Sequence, residues 1–301
     1  MQGRNFIADR VFSRVGVAKQ ADQYFTYPKD QWFRSDAELR APGTESAGSG
    51  YTLSTDTYYC HVYAIHKDID DQTRANADSP LNVDREATQF ITQQLLLKRD
   101  LDFVSTYMTT GVWDTDMTGV SSGPTGNQFL QWDNASSDPI QDVQNGKTAM
   151  LQATGYEPNV LVIGYEVFAQ LKNHADIIDR IKHTQRGVLT EELLAQLLGV
   201  DRLIVASAIK NTAAEGATAA MSFMVGKSAL LCYSNPTPGL MQPSAGYTFT
   251  WNGLLGSSAY GTRVSRFRKV ETKSDRVEAE MAYDMKVVAS DLGYFFTSAV
   301  A

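Results

Sequence analysis

Residues 83–109 constrain the fold most, because their apolar positions repeat at helical spacing over an unusual length. Ala87, Phe90, Ile91, Leu95, Leu97, Leu101, Val104 and Met108 recur with helical periodicity, the pattern of a helix with an apolar side. Asn82, or Ser79 followed by Pro80, supplies a start, and Gly111 supplies a stop. A polar side chain takes up orphan amides, proline suits the first turn, and glycine accepts the left-handed turn that ends a helix. At 1.5 Å per residue this helix would be roughly 40 Å long.

The segments on either side differ in kind. Residues 1–33 mix single apolar residues with Arg4, Arg10, Arg14 and Lys19, and read as an arm without a core of its own. Residues 34–66 start polar and small, then crowd strand formers: Thr52, Thr55, Thr57, Tyr58, Tyr59, Val62, Tyr63 and Ile65. This pattern predicts an extended hairpin with a Gly/Ser/Pro tip. An isolated hairpin of that sort is marginal in water, so a neighbouring subunit is its expected support. Residues 110–138 read as loop. From Pro139 the pattern alternates: a helix over 140–153, a buried strand Val160 to Ile163, a helix over 165–182 with Phe168, Leu171, Ala175 and Ile178 on one face, and a helix capped by Thr190 and closed by Gly199. Strands are predicted at 203–205 and 223–233. Residues 264–272 and 277–287 read as two further strands. In the second, Val277, Ala279, Met281, Tyr283, Met285 and Val287 alternate with charged residues, the signature of a half-buried sheet. The fold class is α+β.

Composition narrows function. The chain has 301 residues, 43% hydrophobic and 20% charged, with net charge -7. That is ordinary globular composition, and the acidic balance argues against a dedicated nucleic-acid binder. Cys60 and Cys232 are too few for a disulfide framework and are expected reduced, in a protein made in a cytoplasm. No apolar run reaches the ~18 residues of a membrane span, and no secretory signal pattern is expected at the N-terminus. The 4 Trp, 14 Tyr and 13 Phe suit a core or interface anchors equally.

Letter-level catalytic motifs fail on context. Gly146-Lys147-Thr148 and Gly226-Lys227-Ser228 resemble the end of a phosphate-binding loop, but Gln141 and Met221 stand where its first glycine belongs. Gly119-Val120-Ser121-Ser122-Gly123 matches a nucleophile elbow without the strand before it and helix after it that expose the serine. Asp114-Thr115-Asp116 begins like a calcium loop, yet Thr125 occupies the position of the closing glutamate. His61, His66, His174 and His183 lack zinc-site spacing. Asp68, Asp70 and Asp71 read as a solvated turn, with an intersubunit salt-bridge site as the alternative. No catalytic, cofactor-binding or metal residue is assigned, and the chain is not expected to be an enzyme. A cytosolic α/β enzyme with a site around Gly164 or Gly226 is the rival from another class.

The order of arm, hairpin, long helix, α/β insertion and β return resembles the tailed-bacteriophage major capsid protein family, with its Hong Kong 97-type fold. Leu95-Leu96-Leu97-Lys98-Arg99, Pro158-Asn159-Val160-Leu161-Val162-Ile163-Gly164 and Leu197-Leu198-Gly199-Val200 are similar to segments of that family's coats. The resemblance implies an N-terminal arm at 1–33, an E-loop at 34–66, a peripheral domain at 67–137 containing a spine helix at 83–109, an axial domain at 138–261 with the return near Tyr260 and Gly261, and peripheral return strands at 262–301. It implies a head shell of hexamers and pentamers in a virion, made in the bacterial host cytoplasm and enclosing double-stranded DNA without sequence-specific binding. Partners would be portal protein, decoration proteins and a separate scaffolding protein, and no membrane. Some relatives weld the shell through an E-loop lysine. Residues 34–66 contain none, Lys29 and Lys67 lying outside, so non-covalent cohesion is expected. An encapsulin-like compartment shares the fold and is the nearer alternative.

Overall fold

The computed structural model describes residues 5–78, 80–181, 189–256 and 261–301. Ser79, Lys182, His183 and Tyr260, all invoked from sequence, lie outside them. The chain opens with α1 (Ala8–Val11), β1 (Arg14–Val17), β2 (Ala21–Thr26), α2 (Lys29–Trp32), β3 (Ser54–Tyr59), β4 (His61–Asp70), α3 (Asp71–Ala75) and the long α4 (Val83–Tyr107). There follow β5 (Thr115–Val120), β6 (Gln128–Leu130), α5 (Pro139–Thr154), β7 (Val160–Gly164), α6 (Tyr165–Leu171), α7 (Ala175–Ile181), α8 (Glu191–Leu198) and β8 (Arg202–Ala206). The remainder is β9 (Ile209–Asn211), β10 (Met221–Phe223), β11 (Ala229–Cys232), β12 (Gly246–Trp251), α9 (Asn252–Leu255), β13 (Thr262–Lys269), β14 (Ser274–Val287) and β15 (Gly293–Thr297).

Two sheets carry the body. In the first, β14 is the organiser: it pairs antiparallel with β4, β13 and β12, and β12 pairs in parallel with β1. Its expected alternation is present, with Val277, Ala279, Met281, Tyr283 and Met285 buried and Glu278, Glu280, Asp284 and Lys286 between them only partly covered. The buried side belongs to the core that also takes in α4. The second sheet has the order β6-β5-β15-β11-β7-β8. All five residues of β7 are buried, as a strand covered on both faces requires. Helices α5, α6 and α8 contribute Val143, Met150, Val167, Phe168, Leu194 and Leu198 to its core.

Helix α4 starts where expected: the Asn82 side chain accepts from the Arg85 amide. It ends at Tyr107, two residues short of the sequence boundary, and its buried seam differs. Ala87, Ile91, Leu95, Arg99, Phe103 and Tyr107, four residues apart, are buried together with Asp100, whereas Phe90 is half exposed. Thr190 caps α8 through the Leu193 amide, and Gly199 closes it at φ 65°.

Several sequence boundaries need correction. The segment read as an arm without a core packs, from residue 5 on, into the core of its own chain, since Ile7, Ala8, Val11 and Phe12 are buried and β1 joins the first sheet. Its strand partner, β12, lies far along the chain, so no local periodicity announces it. The hairpin is not confined to 34–66. Its strands are β2 and β3, paired from Ala21↔Tyr59 to Thr26↔Ser54, while β4 leaves it to join β14. The 110–138 stretch holds β5 and β6 and is not simply loop. The 165–182 helix breaks into α6 and α7, turning Ile177 inward and Ile178 outward. The 223–233 strand divides between β10 and β11. Sheet membership also crosses the 138–261 boundaries: β5, β6 and β15 lie outside that range yet complete the second sheet, and β12 lies inside it yet belongs to the first. Finally, Asp68, Asp70 and Asp71 are exposed, as a solvated cluster should be, but they end β4 and begin α3 rather than forming a turn, and they have partners within the subunit. Asp68 pairs with Arg276 at 2.7 Å, Asp71 with Arg268 at 2.5 Å, and Asp70 caps α3.

Candidate assembly surface

The hairpin β2/β3 is fixed to the body at its base and free at its tip. At the base, Tyr58 stacks on Phe249 with ring centroids 4.7 Å apart and planes 12° apart, and Tyr24 lies 5.3 Å from the same ring. Cys60 is buried beside them, and burial pushes its thiol up to about 12, so it is an inert apolar filler. Across the strands the Tyr24 hydroxyl donates to Asp56 at 2.7 Å. Desolvation, then that carboxylate, holds the phenol above its ordinary range, and the hydrogen bond holds Asp56 below its own.

Beyond the strands, residues 34–53 carry no helix or strand, and nearly all are exposed. The loop keeps its shape through a few local ties. Gln31 accepts from the Thr52 amide at 2.6 Å and donates to its hydroxyl at 3.0 Å. Trp32 meets Tyr51 at 5.4 Å and Tyr27 at 6.3 Å. Lys29 pairs with Asp291 at 2.5 Å. Yet Trp32, Phe33, Leu39, Tyr51 and Leu53 remain 47%, 66%, 103%, 59% and 51% exposed. Covering such side chains removes on the order of 500 Å² of apolar surface, roughly 12 kcal/mol gross. That is comparable with the ~4–15 kcal/mol cost of association, so the loop can anchor an interface but needs partner contacts elsewhere. A monomer gains nothing from displaying it. Sequence reasoning found the loop but placed Trp32 and Phe33 in the arm. The signal for including them is their match, across the polar tip, to Tyr51 and Leu53.

The residues tested for chemistry are placed as structural parts. Lys147 lies on α5 with its Nζ 2.5 Å from the Gly199 carbonyl and 2.8 Å from Glu157, tying α5 to the end of α8. The Gly226 carbonyl would be 1.8 Å from a Cβ on Gly164, so Gly164 serves close backbone approach. Gly119 is on β5, and Asn134 donates to the Ser121 carbonyl. Asp116 accepts from the Gly111 amide and Asp114 from the Ser290 hydroxyl. No group of three His, Cys, Asp or Glu able to hold a metal occurs among the described residues. His61 and His66 are exposed on β4.

One serine–histidine contact was not foreseen. Buried Ser137 lies 3.1 Å from His174 Nε2, with Asp176 beyond the ring. The hydrogen bonds decide its role. His174 Nδ1 accepts from the Asp176 amide, so the ring proton is on Nε2; Ser137 accepts it and donates its own proton to the Asn134 carbonyl at 2.7 Å. The imidazole therefore faces the serine as a donor, and a general base must face it as an acceptor. The chain Asn134–Ser137–His174–Asp176 closes a loop before α5.

No family model matches the sequence. The chain is 26% identical over 302 residues to the major capsid protein of Pseudomonas phage JBD67, covering 98% of this chain and 92% of that one. It is 36% identical over 75 residues to the major capsid protein of Burkholderia phage BcepMu, a match spanning 25% of this chain and 24% of that one. Among solved structures it is similar to a phage-related protein from Bordetella bronchiseptica RB50, with TM-score 0.71, 20% identity and coverage of 98% and 93%. It is also similar to the capsid of cyanophage P-SCSP1u, with TM-score 0.65, 12% identity and coverage of 97% and 87%. The SrpI encapsulin of Synechococcus elongatus PCC 7942 gives TM-score 0.58 at 11% identity, covering 96% and 85%. Over nearly its whole length the chain is thus similar in sequence to a phage major capsid protein, and its fold is that of solved phage capsids.

Proposed function

We propose that the protein is a major capsid protein of Hong Kong 97-type fold, whose copies close into the icosahedral head shell around a phage genome. The observation that carries this reading is the aromatic loop at 27–53, which is held in shape and left uncovered. It acts as the E-loop, longer toward the N-terminus than 34–66; α4 is the spine helix; the first sheet is the peripheral body, and the second sheet with its helices is the axial one. Several heterologous contacts per subunit close a shell. The loop contributes one of them by lying on an adjacent copy. The lysine-free loop leaves cohesion to non-covalent contacts, with decoration proteins where present, and growth is guided by a separate scaffolding protein from a portal. The virion is its location, after synthesis in the host cytoplasm, in capsomers of six and five.

Deleting residues 40–50 removes the tip and none of the core. The expected product is a folded subunit that sediments as a small species and forms no shells by electron microscopy. Normal shells from the deletion would overturn the loop's role. The encapsulin reading has the SrpI likeness in its favour, while both sequence relatives are phage coats. DNA rather than a cargo enzyme inside purified particles separates the two.

A further inference from the structure

We propose that the pocket between the N-terminal segment and Arg202 binds phosphate groups presented by a phosphodiester backbone. The pocket encloses about 510 Å³, and Arg10, Arg14, Arg202, Asp9, Ser13 and Asn252 supply its polar lining. It is built rather than incidental. Arg202 is held by donating from Nη1 to the Arg10 carbonyl at 3.0 Å, which leaves its other guanidinium donors for a ligand. The Ser13 hydroxyl is tied to the Asn235 carbonyl at 2.6 Å. Pro236 and Pro238 line the pocket as well and stiffen it. The Arg10 side chain is exposed and forms no ion pair among the described residues.

Charge points the same way. The lining carries three guanidinium groups and one carboxylate. That carboxylate, Asp9, already lies 2.6 Å from Arg99 and 4.0 Å from Arg14. The chain as a whole is at -7, but charges beyond the ~8 Å screening length at physiological salt contribute little, so the local excess of cations decides. Arginines lining one pocket suit a phosphate, whose several oxygens serve more than one guanidinium; a carboxylate offers two. The volume is several times that of a single phosphate and lies within the ~300–1,000 Å³ of ligand sites, which favours a phosphate carrying its ester neighbours. The phosphate chemistry follows from the pocket. That the backbone belongs to enclosed DNA rests on the shell reading.

The test uses the full-length subunit with a fluorescent 20-base-pair duplex, followed by anisotropy across a salt series, and inorganic phosphate followed by calorimetry. Arg10→Gln should leave the melting temperature unchanged. It should weaken duplex binding about fivefold or more at low salt and reduce the slope of log K against log salt by about one. Lys67→Gln, which removes an exposed cation outside the pocket, should change binding far less. Phosphate binding that is lost in Arg10→Gln, without duplex binding, would keep the anion pocket and overturn its assignment to a backbone. Equal binding by wild type and Arg10→Gln, or none by either, would overturn the pocket altogether. Shell formation by Arg10→Gln, imaged in parallel, reports on the capsid reading independently.

Discussion

At the residue scale, the least expected feature is the pair Arg99 and Asp100, both nearly inaccessible on α4. Asp100 Oδ1 accepts from the amides of Ile7 and Ala8, each at 2.8 Å, and so caps α1. Arg99 reaches Asp9 at 2.6 Å and sits 5.4 Å over the Tyr283 ring. These two charges fasten the N-terminal segment to the helix, and local sequence does not disclose it. Lys98-Arg99-Asp100 reads as a solvated turn of helix until Ile7 is known to lie above it. Burial pushes the Asp100 carboxyl up to about 6, against the pull of the two amides. A raised carboxyl in the folded state means that folding favours the proton. Its contribution is full below about pH 4 and lost as pH rises through about 6, a change of at most ~3 kcal/mol. Asp100→Asn keeps the accepting oxygen and cannot ionise. Urea midpoints of the unassembled subunit at pH 4.5 and 7.5 should therefore differ less in the variant than in wild type. Parallel pH slopes for the two proteins would show that Asp100 does not titrate in this window.

At the element scale, what the sequence disclosed and what it hid divide by the range of the interactions. Helix α4, the caps at Asn82 and Thr190, and the alternation of β14 were legible because each is set by neighbours within a few residues. Strands β1, β5 and β6 were missed because they are short and are defined by partners distant in sequence. The break between α6 and α7 escaped notice because His174, buried by its bond to Ser137, passes for a helical residue. Glycines show where elements meet most closely. A Cβ on Gly164 would lie 1.8 Å from the Gly226 carbonyl, and one on Gly293 would lie 2.0 Å from the Trp113 ring. Backbone cannot retreat as a side chain can. Gly164→Ala is therefore expected to cost at least the ~1–3 kcal/mol of overpacking, seen as a lower melting temperature. Gly48→Ala in the open loop, where nothing lies within 4 Å of the added carbon, should melt with wild type. Equal melting of the two variants would mean that the β7 end is looser than its geometry.

At the scale of the whole molecule, a firmly packed body carries a loop that contributes little to its own stability. Most of the candidate surface was legible as composition, a run of small and polar residues interrupted by aromatics. Its attachment was not, because it depends on Tyr58 meeting Phe249. Arg34 and Arg40 lie on that loop, and trypsin should cut free subunits there first, leaving the body whole. The same bonds should resist cleavage in shells; equal rates in both states would mean that the loop stays uncovered on assembly. The strand order has a further consequence. β15 lies between β5 and β11, and β1 finds its place only beside β12. Neither sheet can therefore be completed while most of the polypeptide is still on the ribosome. Such long-range closure is slow, and the loop's footing waits on it, because the ring on which Tyr58 stacks, Phe249, belongs to the late strand β12.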